Sequence, residues 1–169
     1  MSDLNHFADT TTGVVFIHAA PTALCPHVEW ALASTLDATS AMRWEDQPAQ
    51  PGARKAIVDW IGPVGTGARL ADSLAKWSML AFEVTEDPSD LVDGERFSHT
   101  PELGMWRGQT GASGDVVIAE NRLRHLMAAG PAAFHTAVEA ELGTAWDRAL
   151  EPLRGHPAAA EVTWLSRVG

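Results

Sequence analysis

Gly13-Val14-Val15-Phe16-Ile17-His18 is an apolar, β-branched run of strand length, and it predicts a buried strand. Pro21 and Pro26 punctuate the loop behind it, and Pro26 suits the first turn of a helix, where its missing N–H is no loss. Val28, Leu32 and Leu36 then recur at i, i+4 and i+8, which predicts an amphipathic helix. Met42-Arg43-Trp44-Glu45 opens a short second strand. The proline- and glycine-bearing stretch Gln47 to Gly52 reads as a turn, and Lys55 to Ile61 as a third strand. Gly62-Pro63-Val64-Gly65-Thr66-Gly67 breaks that strand and opens a second helix, with Thr66 as N-cap and Leu70, Leu74 and Trp77 as its buried stripe. Leu80, Phe82 and Val84 alternate with Ala81, Glu83 and Thr85, so the next strand is expected to have one dry and one wet face. The order over 13–85 is β-α-β-β-α-β. This is the ferredoxin-like order, two helices on one face of a four-stranded antiparallel sheet.

Asp87 to Gly94 is acidic and loop-like. Beyond it, Arg96 to His99, Met105 to Gly108 and Asp115 to Ala119 read as short strands. Leu123, Leu126 and Met127 start a helix that Gly130-Pro131 interrupts, and Phe134, Val138 and Leu142 carry a second stripe up to Gly143. Thr144-Ala145-Trp146-Asp147 has capping-box spacing ahead of a last helix bearing Trp146, Leu150 and Leu153. Glu161 to Val168 reads as a closing strand. The expected fold is therefore α+β. Residues 1–12 are expected to form a flexible N-terminus and 13–169 a single domain, whose ferredoxin-like half (13–85) is extended by antiparallel strands and C-terminal helices (95–169). Those strands either lengthen the first sheet or form a small second one. The strand, Gly/Pro loop, helix pattern at 13–37, 55–77 and, loosely, 114–128 is not a repeat, because its residue identities do not align.

With 169 residues the chain suits one domain, and 12 basic against 22 acidic side chains give a net charge of −10. An acidic chain whose lysines are Lys55 and Lys76 is a poor nucleic-acid binder. A single cysteine, Cys25, excludes an intrachain disulfide and any multi-cysteine zinc site. The first 12 residues lack the basic and apolar regions of a signal peptide, and no window suits a membrane helix, so a cytoplasmic protein is expected. The seven tryptophans, set against five phenylalanines and no tyrosine, serve core edges and ligand walls alike, and Trp60 is a candidate wall.

Three clusters are candidates for chemistry. In the first, Cys25 lies at a predicted helix N-terminus, where orphan amides and the helix dipole lower a thiol's pKa. His18 or His27 would act as its base and Glu29 as orienter. Alternatively, Cys25 and His27 would join His99 in holding a transition metal. The plain alternative is a small buried hydrophobe beside capping or surface histidines. In the second, Gly65, Thr66 and Gly67 lead into a helix with Arg69 just inside it, an arrangement suited to a small anion. Its Gly-x-x-Gly-x-Gly pattern is not a nucleotide fingerprint, and a tight turn alone explains the glycines. In the third, His99 and Glu102 would form an acid–base pair or two metal ligands, against a simple Thr-Pro-Glu turn between strands. Glu83, Glu86, Asp87, Asp90 and Asp93 do not fit a calcium loop and read as a solvated face.

Several motifs occur in order. They are Cys-Pro-His-Val-Glu-Trp-Ala (25–31), Gly-Thr-x-x-x-Leu-Ala-x-x-Leu-x-x-Trp (65–77), Phe-Glu-Val-Thr (82–85), Thr-Pro-Glu-Leu-Gly (100–104), Trp-Asp-x-x-Leu-Glu-Pro-x-Arg (146–154) and Val-Thr-Trp-Leu (162–165). Over nearly its whole length the chain resembles the actinobacterial domain-of-unknown-function family DUF3145. The resemblance implies a single-domain bacterial cytoplasmic protein. The family has no assigned activity, so no catalytic residue or cofactor is carried over. The residues favour a non-enzymatic regulatory or adaptor domain that binds a small anionic ligand, a protein partner or a second copy. The competing expectation is an enzyme using Cys25 with His18 or His27, or a metal-dependent hydrolase. The ligand reading assumes that helices starting at Pro26 and near Gly67 lie side by side and aim their amino ends at one rim.

Overall fold

The computed structural model describes residues 10–37 and 42–155. The predicted strand around Val15 is β1 (Thr10–Pro21), longer at both ends and reaching into the stretch read as tail. It leads through a 3₁₀ turn into α1 (Cys25–Leu36), β2 (Glu45–Asp46), β3 (Ala53–Pro63), α2 (Thr66–Leu74) and β4 (Ala81–Glu86). The second half adds β5 (Gly94–Thr100), β6 (Gly104–Thr110), α3 (Glu120–Ala128), α4 (Pro131–Leu142) and α5 (Thr144–Arg154). The expected closing strand at 161–168 lies outside the described residues. The α+β class is as expected. The strands form one six-stranded antiparallel sheet in the order β2-β3-β1-β4-β5-β6, so the second-half strands lengthen the first sheet.

Strand pleating divides the sheet into two faces. On the inner face, Val15 lies opposite Val58 and Val84, and Ile17 opposite Ala56 and Phe82. With Val28 and Leu32 of α1 and Leu70 and Leu74 of α2 they form a dry apolar core. On the outer face, Phe16 lies between Ile57 and Glu83, and Val14 between Asp59 and Thr85. The β5–β6 end of this face lies beneath the second-half helices. Trp106 Nε1 donates to Ala140 O, and Trp146 Nε1 to Gly104 O. Gly143, at φ 71°, joins α4 to α5, and any Cβ there would meet the Trp106 ring at 2.7 Å.

Several expectations are corrected. The two helix starts do not share a rim. In the antiparallel β1–β3 pair, Pro21 faces Ala53 and Thr10 faces Pro63. The helix after β1 and the helix after β3 therefore begin at opposite ends of the sheet, separated by a strand length of ~35 Å. The expected wet face of β4 is covered. Ala81 and Glu83 are buried, because Leu150 of α5 packs on Ala81 together with Ala19 and Ala53. The third second-half strand shrinks to a single Thr110–Val116 bridge, since α3 begins five residues after its turn. Neither predicted cap forms: Gly65 and Gly143 are the N-caps of α2 and α5, with no side-chain cap.

Candidate functional site

The alternation that buries Val15 and Ile17 under the helices turns Phe16 and His18 to the outer face, where their rings stack at 5.9 Å. A register shift after Ile17 carries His18 toward the end of the sheet that α5 crosses. His18 Nε2 and Glu83 Oε2 lie 2.7 Å apart. Glu83 also accepts from Arg154 through Nε and Nη2 at 3.0 and 2.6 Å, and from Ser98 Oγ at 3.2 Å. Arg154 further donates to Asp147 Oδ1 at 2.9 Å. Gln47 completes the tie: its Nε2 donates to the carbonyls of His18 and Leu153, and its Oε1 accepts from the Ala49 N–H.

Glu83 is 6% exposed. Burial alone would raise its pKa, but hydrogen bonds from His18 and Arg154, together with the Arg154 charge, bring it down to about 2. Burial works the other way on Arg154, yet the carboxylates of Glu83 and Asp147 raise it above the ordinary arginine value. An ionised carboxylate only accepts, so the proton between Glu83 and His18 belongs to Nε2. Nδ1 has no hydrogen-bond partner among the described residues, nor is it one of the sealed, unpartnered side-chain atoms, which are Trp60 Nε1 and Arg96 Nε. It therefore stays open to the space that the ring lines.

That space is a pocket of about 450 Å³ between β1, β3 and α5. Phe16, Ile57 and Leu153 make its apolar wall, with His18, Glu83 and Arg154 at the polar end. Arg43, Glu45 and Lys55 also line it. Arg43 and Glu45 are 3.9 Å apart, whereas Lys55 makes no ion pair among the described residues. Two of the five charged groups thus cancel at the buried Glu83–Arg154 contact and two partly at the rim, leaving one free cation.

The predicted site residues are scattered. Cys25 is buried, its Sγ lies 3.8 Å from Pro21 O, and burial pushes its pKa up rather than down. His27 is exposed, 6.3 Å from the Trp77 ring, and Glu29 accepts from Trp44 Nε1 at 2.7 Å, so neither serves the thiol. The glycine loop is at the far rim and its anion is internal: the N–H groups of Gly65 and Gly67 donate to Glu86 Oε1 and Oε2 at 2.8 and 2.7 Å. A Cβ on Gly67 would lie 2.9 Å from that carboxylate, which is why the position is glycine. Thr66 Oγ1 donates to Pro63 O and accepts from Arg69. Trp60 is buried over Gly13. His99 is stacked on Phe82 with its Nδ1 2.8 Å from Leu80 O, and Glu102 is exposed in the turn beyond it. Among the described residues no three His, Cys, Asp or Glu side chains come together to hold a metal ion. No helix there is long and apolar enough to cross a membrane.

Glu83 carried a weak signal, a charge inside a β-branched strand, but it read as the wet face. Lys55, Phe16 and Ile57 read only as strand, and Arg154 only as the end of the last motif. No curated protein and no solved structure matches this chain. Residues 14–167 match the model of a family described as a protein of unknown function, DUF3145, and the chain belongs to that family.

Proposed function

We propose that the chain is a non-enzymatic regulatory or adaptor domain that binds a small anionic ligand with an apolar body in the pocket between β1, β3 and α5. The observation that carries this reading is an unpaired Lys55 beside an apolar wall of Phe16, Ile57 and Leu153, in a chain of net charge −10. A local excess of positive charge on an acidic molecule draws an anion, and the apolar wall holds its body. The order β2-β3-β1-β4, with α1 and α2 as crossovers, supports a ferredoxin-like first half as its platform. The test is thermal unfolding with a panel of small amphipathic acids. A ligand at 100 times its Kd adds about 2.7 kcal/mol. A panel that leaves the unfolding temperature unmoved rejects the reading.

One observation favours a protein partner or second copy instead. β2 pairs only with Arg54 and Lys55, so among the described residues the edge of β3 from Ala56 onward is unpaired, with Ile57 and Ile61 exposed beside it. Sedimentation across a concentration series tests self-association, and a strictly monomeric chain removes the second copy. The thiol enzyme is not favoured, because Cys25 lacks both an activating environment and a base.

A further inference from the structure

Resting on that binding reading, we infer that the ligand is a carboxylic acid with an apolar body that also carries a hydroxyl or amide N–H near its acid group, and that this group donates to His18 Nδ1. The direction of donation follows from the atoms that hold the ring. Nε2 donates to Glu83, whose own orientation is held by two bonds from Arg154 and one from Ser98. In the neutral ring, with Nε2 carrying the proton, Nδ1 presents a lone pair. Stacking against Phe16 restrains the ring, so the lone pair is presented in a set direction. No described group satisfies it, although every neighbouring polar atom of Glu83 and Arg154 is engaged. The charged groups facing His18 are Glu83 of β4 and Arg154 of α5, with Arg43, Glu45 and Lys55 lining the same pocket. Of these, only Lys55 is uncommitted, and it takes the acid. Two polar anchors of opposite demand, an acceptor and a cation, flank one apolar wall. A plain fatty acid satisfies the cation and the wall and leaves Nδ1 unpaired.

The experiment is calorimetric titration of the full chain with 3-hydroxydecanoate, decanoate and decanol, alongside ¹⁵N spectra of the histidine ring. The hydroxy acid should bind about tenfold tighter than decanoate, as one added hydrogen bond allows. The His18 Nδ1 resonance should move with the hydroxy acid and stay with decanoate. In His18→Phe the tenfold preference should vanish, and in Lys55→Gln both acids should weaken together. Equal binding of the two acids, or an unmoved Nδ1 resonance with the hydroxy acid bound, overturns the inference and leaves the pocket reading intact. If none of the three binds, or decanol binds as tightly as decanoate, the reading it rests on falls instead. The wild-type spectra decide the matter even where His18→Phe does not fold.

Discussion

Glu83 and Glu86 stand three residues apart on β4, both buried, one on each face of the sheet. Glu86 turns inward and receives backbone N–H groups from Gly65 and Gly67, the loop that immediately follows β3. Glu83 turns outward and receives side chains from β1, β5 and α5. A carboxylate satisfied by backbone closes one loop and leaves nothing for a ligand. A carboxylate satisfied by side chains ties distant elements together and orients whatever those side chains present next, here the free nitrogen of His18. The inner face is thus a closed apolar core, and the outer face is a polar clasp beside an open pocket.

The largest test of this contrast is Glu83→Ala, which takes from His18, Ser98 and the half-buried Arg154 their shared buried acceptor. It should cost about 3–5 kcal/mol in urea unfolding, against a smaller loss at the inner carboxylate. Leu150→Ala removes the fully buried residue that seats α5 on Ala19, Ala53 and Ala81, and should cost roughly 2–5 kcal/mol by the same measurement. If α5 were only loosely applied to the outer face, the cost would be near zero. Acid sharpens the contrast next. The folded Glu83 pKa of about 2 lies below the ordinary 4.5. Its contribution is therefore complete above pH ~4.5 and is lost as pH falls toward 2, amounting to roughly 3 kcal/mol at most. Unfolding free energy measured from pH 6 to 2.5 should fall in the wild type, and the fall should be shallower in Glu83→Gln. Glu86→Gln keeps one acceptor for two backbone amides, that of Gly67 buried and that of Gly65 partly so, and should cost about 1–2 kcal/mol. A loss as large as that of Glu83→Ala would erase the distinction between the two faces. Smallest in stability is Lys55→Gln, within about 0.5 kcal/mol of wild type, although it should weaken binding of decanoate measurably.

The inner face was legible because its determinants are local. Val15 and Ile17 alternate at the strand period, and Leu70 and Leu74 recur at the helix period, so each element announces which side it buries. The same period-two reading misjudged β4, because alternation states that Glu83 faces away from Phe82 and says nothing about what lies on that other side. Arg154 reaches Glu83 across 71 positions of chain, and no local pattern marks such a partner. The glycine loop misled for a related reason. Its exposed amides do attract an anion, and the anion that arrives is Glu86, 19 residues on from Gly67.

From residue order alone came the succession of strands and helices as far as β6, the α+β class, the family, and the exclusion of an intrachain disulfide. These depend on short-range periodicity, turn chemistry and composition, which the chain carries at every point along its length. Tertiary structure alone decided that α1 and α2 start at opposite ends of the sheet, that α5 crosses its outer face, and that His18, Glu83 and Arg154 meet beside Lys55. Antiparallel pairing reverses the direction of neighbouring strands, and burial brings together groups remote in the chain. Where a charge is paid for by a partner is therefore settled only once the chain has folded back on itself.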